Sequence, residues 1–225
     1  MRVCLASNNL HKKREIAALL GDTEVILPRD LGIAFSAEET GDTFLANAII
    51  KAQALWAALH SDGYVGPGAE HSNAAVDSDK TERLIVLADD SGLCVDALDG
   101  RPGVHSARYG VTMDRPSLSS REQNDLLLAE LEGSEDRTAH FVCCVVAIIE
   151  QERVLTAQER WDGRIAHGRS SSNGGFGYDP VFYLPESGCT AADLPTERKN
   201  EISHRGRAIA VVRAAIDRAY RLSSA

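Results

Sequence analysis

Asp89-Asp90-Ser91-Gly92 places two adjacent carboxylates, a hydroxyl and a flexible residue directly after the apolar run Leu84-Ile85-Val86-Leu87-Ala88. Neighbouring carboxylates repel unless a cation or a proton lies close, so the pair points to a divalent metal. Mg²⁺ suits such a place, because it takes one or two carboxylates and completes its shell with waters and phosphate oxygens. Taken alone, the four residues equally fit a turn in which Asp89 caps, Asp90 is solvated and Gly92 permits the bend.

Two further stretches carry groups that could bind an anion or a planar ring. Ser7-Asn8-Asn9-Leu10-His11-Lys12 precedes a helical stripe of Ile16, Leu19 and Leu20 that stops at Gly21. Lys12, Lys13 and Arg14 crowd the first turn, where the macrodipole disfavours cations by about 0.3–1 kcal/mol each. A bound phosphate would offset that cost, although the segment is no Walker loop and also fits a solvated basic turn. The second stretch runs from Ser170 to Pro180, with Gly174, Gly175 and Gly177 around Phe176, and Tyr178 and Asp179 following. Glycines let backbone amides approach a ligand, and an aromatic ring stacked on a base is worth about 1–3 kcal/mol. The alternative is that Phe176 and Tyr178 anchor the loop in the core. Lys199, His204 and Arg205 add cationic and imidazole groups shortly before the last helix.

The elements that must position these groups follow from pattern. The unalternating run at 84–88 reads as a strand buried on both faces, ending at the aspartates, as expected where ligands gather at the carboxyl ends of parallel strands. A first strand covers 3–6. Phe44, Ala48, Ala52, Leu55 and Leu59 mark a second helix capped by Asp42 or Thr43, with Asn47 and Lys51 projecting together toward solvent or a ligand. Glu38 and Glu39 form an acidic turn before it. Ser119 and Glu122 make a capping box for a third helix. The β-rich run 138–149 and the run 153–158 are expected to pair antiparallel, with Cys143 and Cys144 packing on opposite faces. A strand at 181–184 and a helix striped by Ile209, Val212, Ile216 and Ala219 after Gly206 complete the chain. Residues 61–83, rich in Gly, Ser, Asn and charge, read as a flexible surface insertion in which His71 is incidental.

The 225 residues are 44% hydrophobic, enough for one domain across 1–225 with a sizeable core. A net charge of −9 argues against nucleic-acid or anionic-membrane partners. The five cysteines show no C-x-x-C spacing, no apolar run is long enough to span a bilayer, and no leader is apparent, which makes the cytoplasm the expected compartment. Neither H-E-x-x-H nor G-x-S-x-G occurs, so zinc hydrolysis and an α/β-hydrolase elbow are not supported.

Taken in order, Ser7 to Lys12, Glu38-Glu39-Thr40-Gly41, Phe44-Leu45-Ala46-Asn47-Ala48, Ala88 to Leu93, Gly103 to Tyr109, Gly175 to Asp179 and Ser203-His204-Arg205-Gly206 resemble the motifs of the Ham1/RdgB family of inosine/xanthosine triphosphate pyrophosphatases. The resemblance spans 3–222 apart from the insertion. It implies an α/β fold, an elongated mixed β-sheet with flanking helices and two lobes around a nucleotide-binding cleft, and a homodimer. It implies hydrolysis of purine nucleoside triphosphates such as dITP, ITP and XTP to the monophosphate and pyrophosphate, with Mg²⁺. By resemblance Asp90 is the catalytic base and a metal ligand, with Glu38 or Glu39 assisting the metal. Ser7, Asn8, Asn9, Leu10, His11 and Lys12 hold the triphosphate and Ser91 touches substrate. Phe176, Gly177, Tyr178 and Asp179 cover the base, and Lys199, His204 and Arg205 complete recognition. Three positions depart from the family's common residues: Ser7 for Thr, His11 for Gly, and Ala46 for Glu.

Overall fold

The computed structural model describes residues 1–60, 84–150, 152–172 and 174–223. The insertion at 61–83 with its His71, and Asn173 of the glycine-rich loop, lie outside the described residues. Among the described residues the strands form one mixed sheet of order β2-β1-β3-β4-β5-β6-β7, flanked by helices. The strands are β1 (Arg2–Leu5), β2 (Glu24–Ile26), β3 (Leu84–Val95), β4 (Thr138–Glu150), β5 (Arg153–Ile165), β6 (Phe182–Leu184) and β7 (Cys189–Thr190). The helices are α1 (Leu10–Leu20), α2 (Phe44–Leu59), α3 (Ser120–Glu130), α4 (Thr196–Ile202) and α5 (His204–Ser223). None of the described helices is long and apolar enough to cross a membrane.

The chain divides into two compact units. The first comprises Met1–Asp89, Val145–Ala157 and Ile209–Ala225. In it β1 pairs parallel with both β2 and β3, with Val3 opposite Val25 on one side and Ile85 on the other. Parallel strands need covered faces, and accordingly Val3, Leu5, Ile85 and Leu87 are fully buried. Ile16 of α1, Leu55 of α2 and Ile209, Val212 and Ile216 of α5 are buried too, each contributing about 1.5–3 kcal/mol.

The second unit comprises Asp90–Cys144 and Gln158–Ala208. Its core gathers Leu93, Val95, Leu127, Leu131, Phe141, Trp161, Tyr178 and Phe182. β5 pairs antiparallel with β6, and β6 with β7. The buried Arg137 guanidinium donates to the carbonyls of Leu131, Ile165 and Ala166 at 3.0, 2.8 and 2.9 Å, joining the end of α3 to the end of β5.

Two expectations need correction. β3 does not stop at Ala88: it continues to Val95 because Leu93 and Val95 extend the buried core beyond the aspartates. Asp89 and Asp90 therefore lie within a strand rather than at its end. The last helix likewise begins at His204 and not after Gly206, with Lys199 on the separate α4. Ser203 alone links the two, and this closeness requires a glycine at 206, where a Cβ would overlap the Asn200 carbonyl. The strand expected over 153–158 runs on to Ile165, while the caps of α2 and α3 fall where the pattern places them. Thr43 caps α2 through its bond from the Ala46 amide, the Ser119–Glu122 box caps α3, and Cys143 and Cys144 are buried.

Candidate active site

In the first unit the loop after β1 is organised by its own polar groups. Asn9 caps α1, its Oδ1 accepting from the His11 and Lys12 amides at 2.9 and 3.2 Å. Ser7 Oγ accepts from the Asn9 amide at 3.1 Å, and Asn8 Nδ2 donates to the Phe35 carbonyl at 2.9 Å. Leu10 and His11 are exposed on the first turn. Lys12 turns inward: its Nζ lies 3.1 Å from Asp89 Oδ2.

The acidic turn is fastened to α2. Asn47 Oδ1 accepts from the Gly41 amide at 2.8 Å and Lys51 Nζ lies 2.9 Å from Glu39 Oε1. Asn47 and Lys51 are buried rather than turned to solvent, and both bind the acidic turn. A Cβ at Gly41 would press on Ala46 Cβ and Asn47 Oδ1. Glu38 is exposed, while Glu39 is half-buried with its carboxylate held by Lys51.

In the second unit Ser91, Phe176, Asp179, Lys199 and Arg205 come together. Arg205 Nη2 donates to Ser91 Oγ at 2.6 Å. Asp179 Oδ2 accepts from Lys199 Nζ at 2.7 Å and from the Phe176 amide at 2.6 Å. That approach requires glycine at 175, whose Cβ would overlap the carboxylate. Lys199 Nζ and the Arg205 guanidinium carbon lie 5.1 and 5.7 Å from the centroid of the Phe176 ring, within cation–π range. The loop aromatics thus divide: Phe176 stays partly exposed among the cations, whereas Tyr178 is buried and donates to the Ser106 carbonyl at 2.9 Å. His204 is buried and lies parallel on Phe141, with centroids 4.7 Å apart and planes 6° apart.

The donor types suit a hard divalent cation. Asp90 is a buried carboxylate and Glu38 and Glu39 are oxygen donors. No group of three or more metal-ligating side chains is found among the described residues.

A model of the Ham1 family matches residues 3–215. The chain belongs to the Ham1 family. Among its Ham1 relatives, the dITP/XTP pyrophosphatase of Treponema denticola is 44% identical, covering 93% of this chain and 95% of that protein. The dITP/XTP pyrophosphatase of Methylococcus capsulatus is also 44% identical, covering 94% of each. The solved Staphylococcus aureus Ham1 protein superposes with a TM-score of 0.75 at 35% identity, covering 96% of this chain and 98% of that one. A Coxiella burnetii HAM1 structure gives 0.75 at 33% identity, covering 97% and 99%.

Sequence reasoning missed three partners. Asp89 reads from sequence as half of a metal-binding pair or as a turn cap, and its partner Lys12 is not foreseen. The Lys51–Glu39 tie joins two motifs that were singled out separately. Gln123 and Asn124 escaped notice, although amides on the face that α3 shares with Leu127 and Leu131 are a readable signal of buried polar bonds.

Proposed function

We propose that this Ham1 protein hydrolyses non-standard purine nucleoside triphosphates, dITP, ITP and XTP among them, to the monophosphate and pyrophosphate. The observation that carries the reading is the Lys12–Asp89 pair, which brings the cation of the Ser7–Lys12 loop to the strand that bears Asp90 and Ser91. Phosphoryl transfer depends chiefly on positioning and charge neutralisation, which supports reading Lys12 and the strand carboxylates as its groups.

In the proposed reaction the loop amides and Lys12 bind the triphosphate. Asp90 takes a proton from water as the water oxygen bonds to the α-phosphorus. The bond from that phosphorus to the bridging oxygen breaks, and pyrophosphate leaves with its charge stabilised by Lys12. Mg²⁺, held by Asp90 with Glu38 or Glu39, would supply Lewis-acid stabilisation of phosphate oxygens.

Phe176 offers a ring face for the base, while Lys199 and Arg205 offer donors beside it. Hypoxanthine and xanthine present an acceptor at the 6-position and adenine a donor. A site built of donors therefore rejects ATP by leaving a polar group unpaired. His204, stacked on Phe141, supports the base site from within the core. The reading includes a homodimer and a cytoplasmic setting.

Steady-state rates with ITP, XTP, dITP, ATP and GTP test the proposal. A kcat/KM for ITP about 10²-fold or more above that for ATP is expected, the scale on which a donor site separates such bases. Equal rates on ITP and ATP would refute the base-selective reading.

A further inference from the structure

Gln123 and Asn124 are neighbouring buried amides near the start of α3, at 6% and 2% exposure. Each spends its donors on a loop rather than on the helix. Gln123 Nε2 reaches the carbonyls of Ser106, Ala107 and Tyr109 at 3.4, 3.2 and 3.3 Å. That segment is tied in turn to β3, since Ser106 Oγ accepts from the Leu93 amide at 2.9 Å. Asn124 Nδ2 donates to the Gly177 carbonyl at 3.1 Å, in the middle of the loop that bears Phe176.

Gly177 has φ +62°, with nothing within 4 Å of a Cβ built there. Crowding therefore does not hold this residue, and the Asn124 amide ties it. One residue before Gly177 is Phe176, whose amide is bound by Asp179 and whose ring faces Lys199 and Arg205. The loop at Phe176 is thus clamped from two sides, by Asp179 before the glycine and by Asn124 on it. Asn124, Phe176 and Gly177 also line a cavity of about 560 Å³ together with Arg121, Arg169 and Ser172. A shift of the Gly177 carbonyl would reshape that cavity and move the ring.

Among the described residues Asn124 Oδ1 has no hydrogen-bond partner. Burying an amide with one end unsatisfied works against stability, so the fold gains little from an amide here over an apolar residue of the same size. What the amide contributes is the hold on Gly177.

We propose that Asn124 is a positioning residue for purine-base recognition, fixing the Gly177 carbonyl so that Phe176 is set for the base before substrate arrives. The inference rests on the function proposed above. It places Asn124 outside the chemistry, because the side chain acts through the loop, not on the phosphates.

Asn124→Leu keeps the size and removes the donor. The variant should raise KM for ITP about tenfold, the scale of one lost hydrogen bond, with kcat within about twofold and the melting temperature little changed. Inhibition separates the two ends of the substrate: Ki for IMP should rise with KM, while Ki for pyrophosphate should stay put. An unchanged KM would overturn the inference, as would a loss confined to kcat or an equal rise in Ki for pyrophosphate. Should the variant not fold, the unmodified enzyme decides. The Asn124 side-chain amide resonance should move when IMP saturates the protein and not with pyrophosphate, and an unmoved resonance under saturating IMP would overturn the role. Wild-type protein that neither turns over ITP nor binds IMP would refute the functional reading itself, and the role of Asn124 with it. Normal turnover by wild type with normal KM in the variant would refute the positioning role alone.

Discussion

Lys12, on the first turn of α1, spans 77 positions of sequence to reach Asp89, lying 3.1 Å from its Oδ2 and 3.4 Å from its carbonyl oxygen. The Asp89 side chain is fully buried and Lys12 partly so, at 0% and 17% exposure. A charge pair this enclosed fixes geometry more than it adds stability, and removing one partner strands the other.

Asp89→Asn should accordingly cost about 3 kcal/mol, or about 6–12 °C in melting temperature for a chain of this length. Lys12→Met should lower kcat/KM for ITP by about 10²–10³-fold, the scale of one lost charge-stabilising group. The double variant Lys12→Met/Asp89→Leu, with neither charge buried, should regain most of the stability and none of the activity. Calorimetry and kinetics on the three proteins check this. A double variant as unstable as Asp89→Asn would contradict the pairing.

Arg137 offers a purely structural contrast. Its guanidinium serves three carbonyls, and burial pulls its pKa below the usual arginine value. Arg137→Met would leave those carbonyls without their donor. A loss of about 2–4 kcal/mol is expected, seen as a melting temperature lower by about 5–15 °C. At temperatures where the variant remains folded, KM for ITP should be unaltered.

Alkaline stability follows from buried acids. Burial, with a smaller contribution from Asp30, pushes the Cys4 thiol from 9.0 up to about 12, and burial pushes Cys144 to about 11. Burial likewise raises the Tyr178 phenol above its ordinary 10.0. Each folded value lies above the unfolded one, so these groups' contribution is complete below pH 9 for the thiols and 10 for the phenol. It is lost as pH rises through the folded values, because the unfolded chain releases its protons first. Melting temperature should therefore fall steadily above pH 9, and Cys4→Val should soften that fall. A profile flat to pH 11 would contradict the burial of these groups.

Local chemistry made much of the scaffold legible from sequence. The Ser119–Glu122 box and the Thr43 cap act within four residues, and the stripe of Ile209, Val212 and Ile216 needs only a helical period. The continuation of β3 was not legible, because Asp-Asp-Ser-Gly resembles a turn until Lys12, distant in sequence, is seen to engage Asp89. The α4–α5 junction depends on backbone approach at Gly206, which no side-chain pattern announces. Within the site, residue types suggested the participants while the pairings came from tertiary structure. Asp179 bonds at once to Lys199 and to the Phe176 amide, and Glu39 is held by Lys51.

The central claim is attack of water on the α-phosphorus of a non-standard purine triphosphate. Turnover of ITP with Mg²⁺ in ¹⁸O-water tests it directly, with the products separated and weighed. The account predicts IMP carrying the label and unlabelled pyrophosphate, with turnover nearly abolished in Asp90→Asn. IDP with labelled orthophosphate would place the attack at the γ-phosphorus and contradict it.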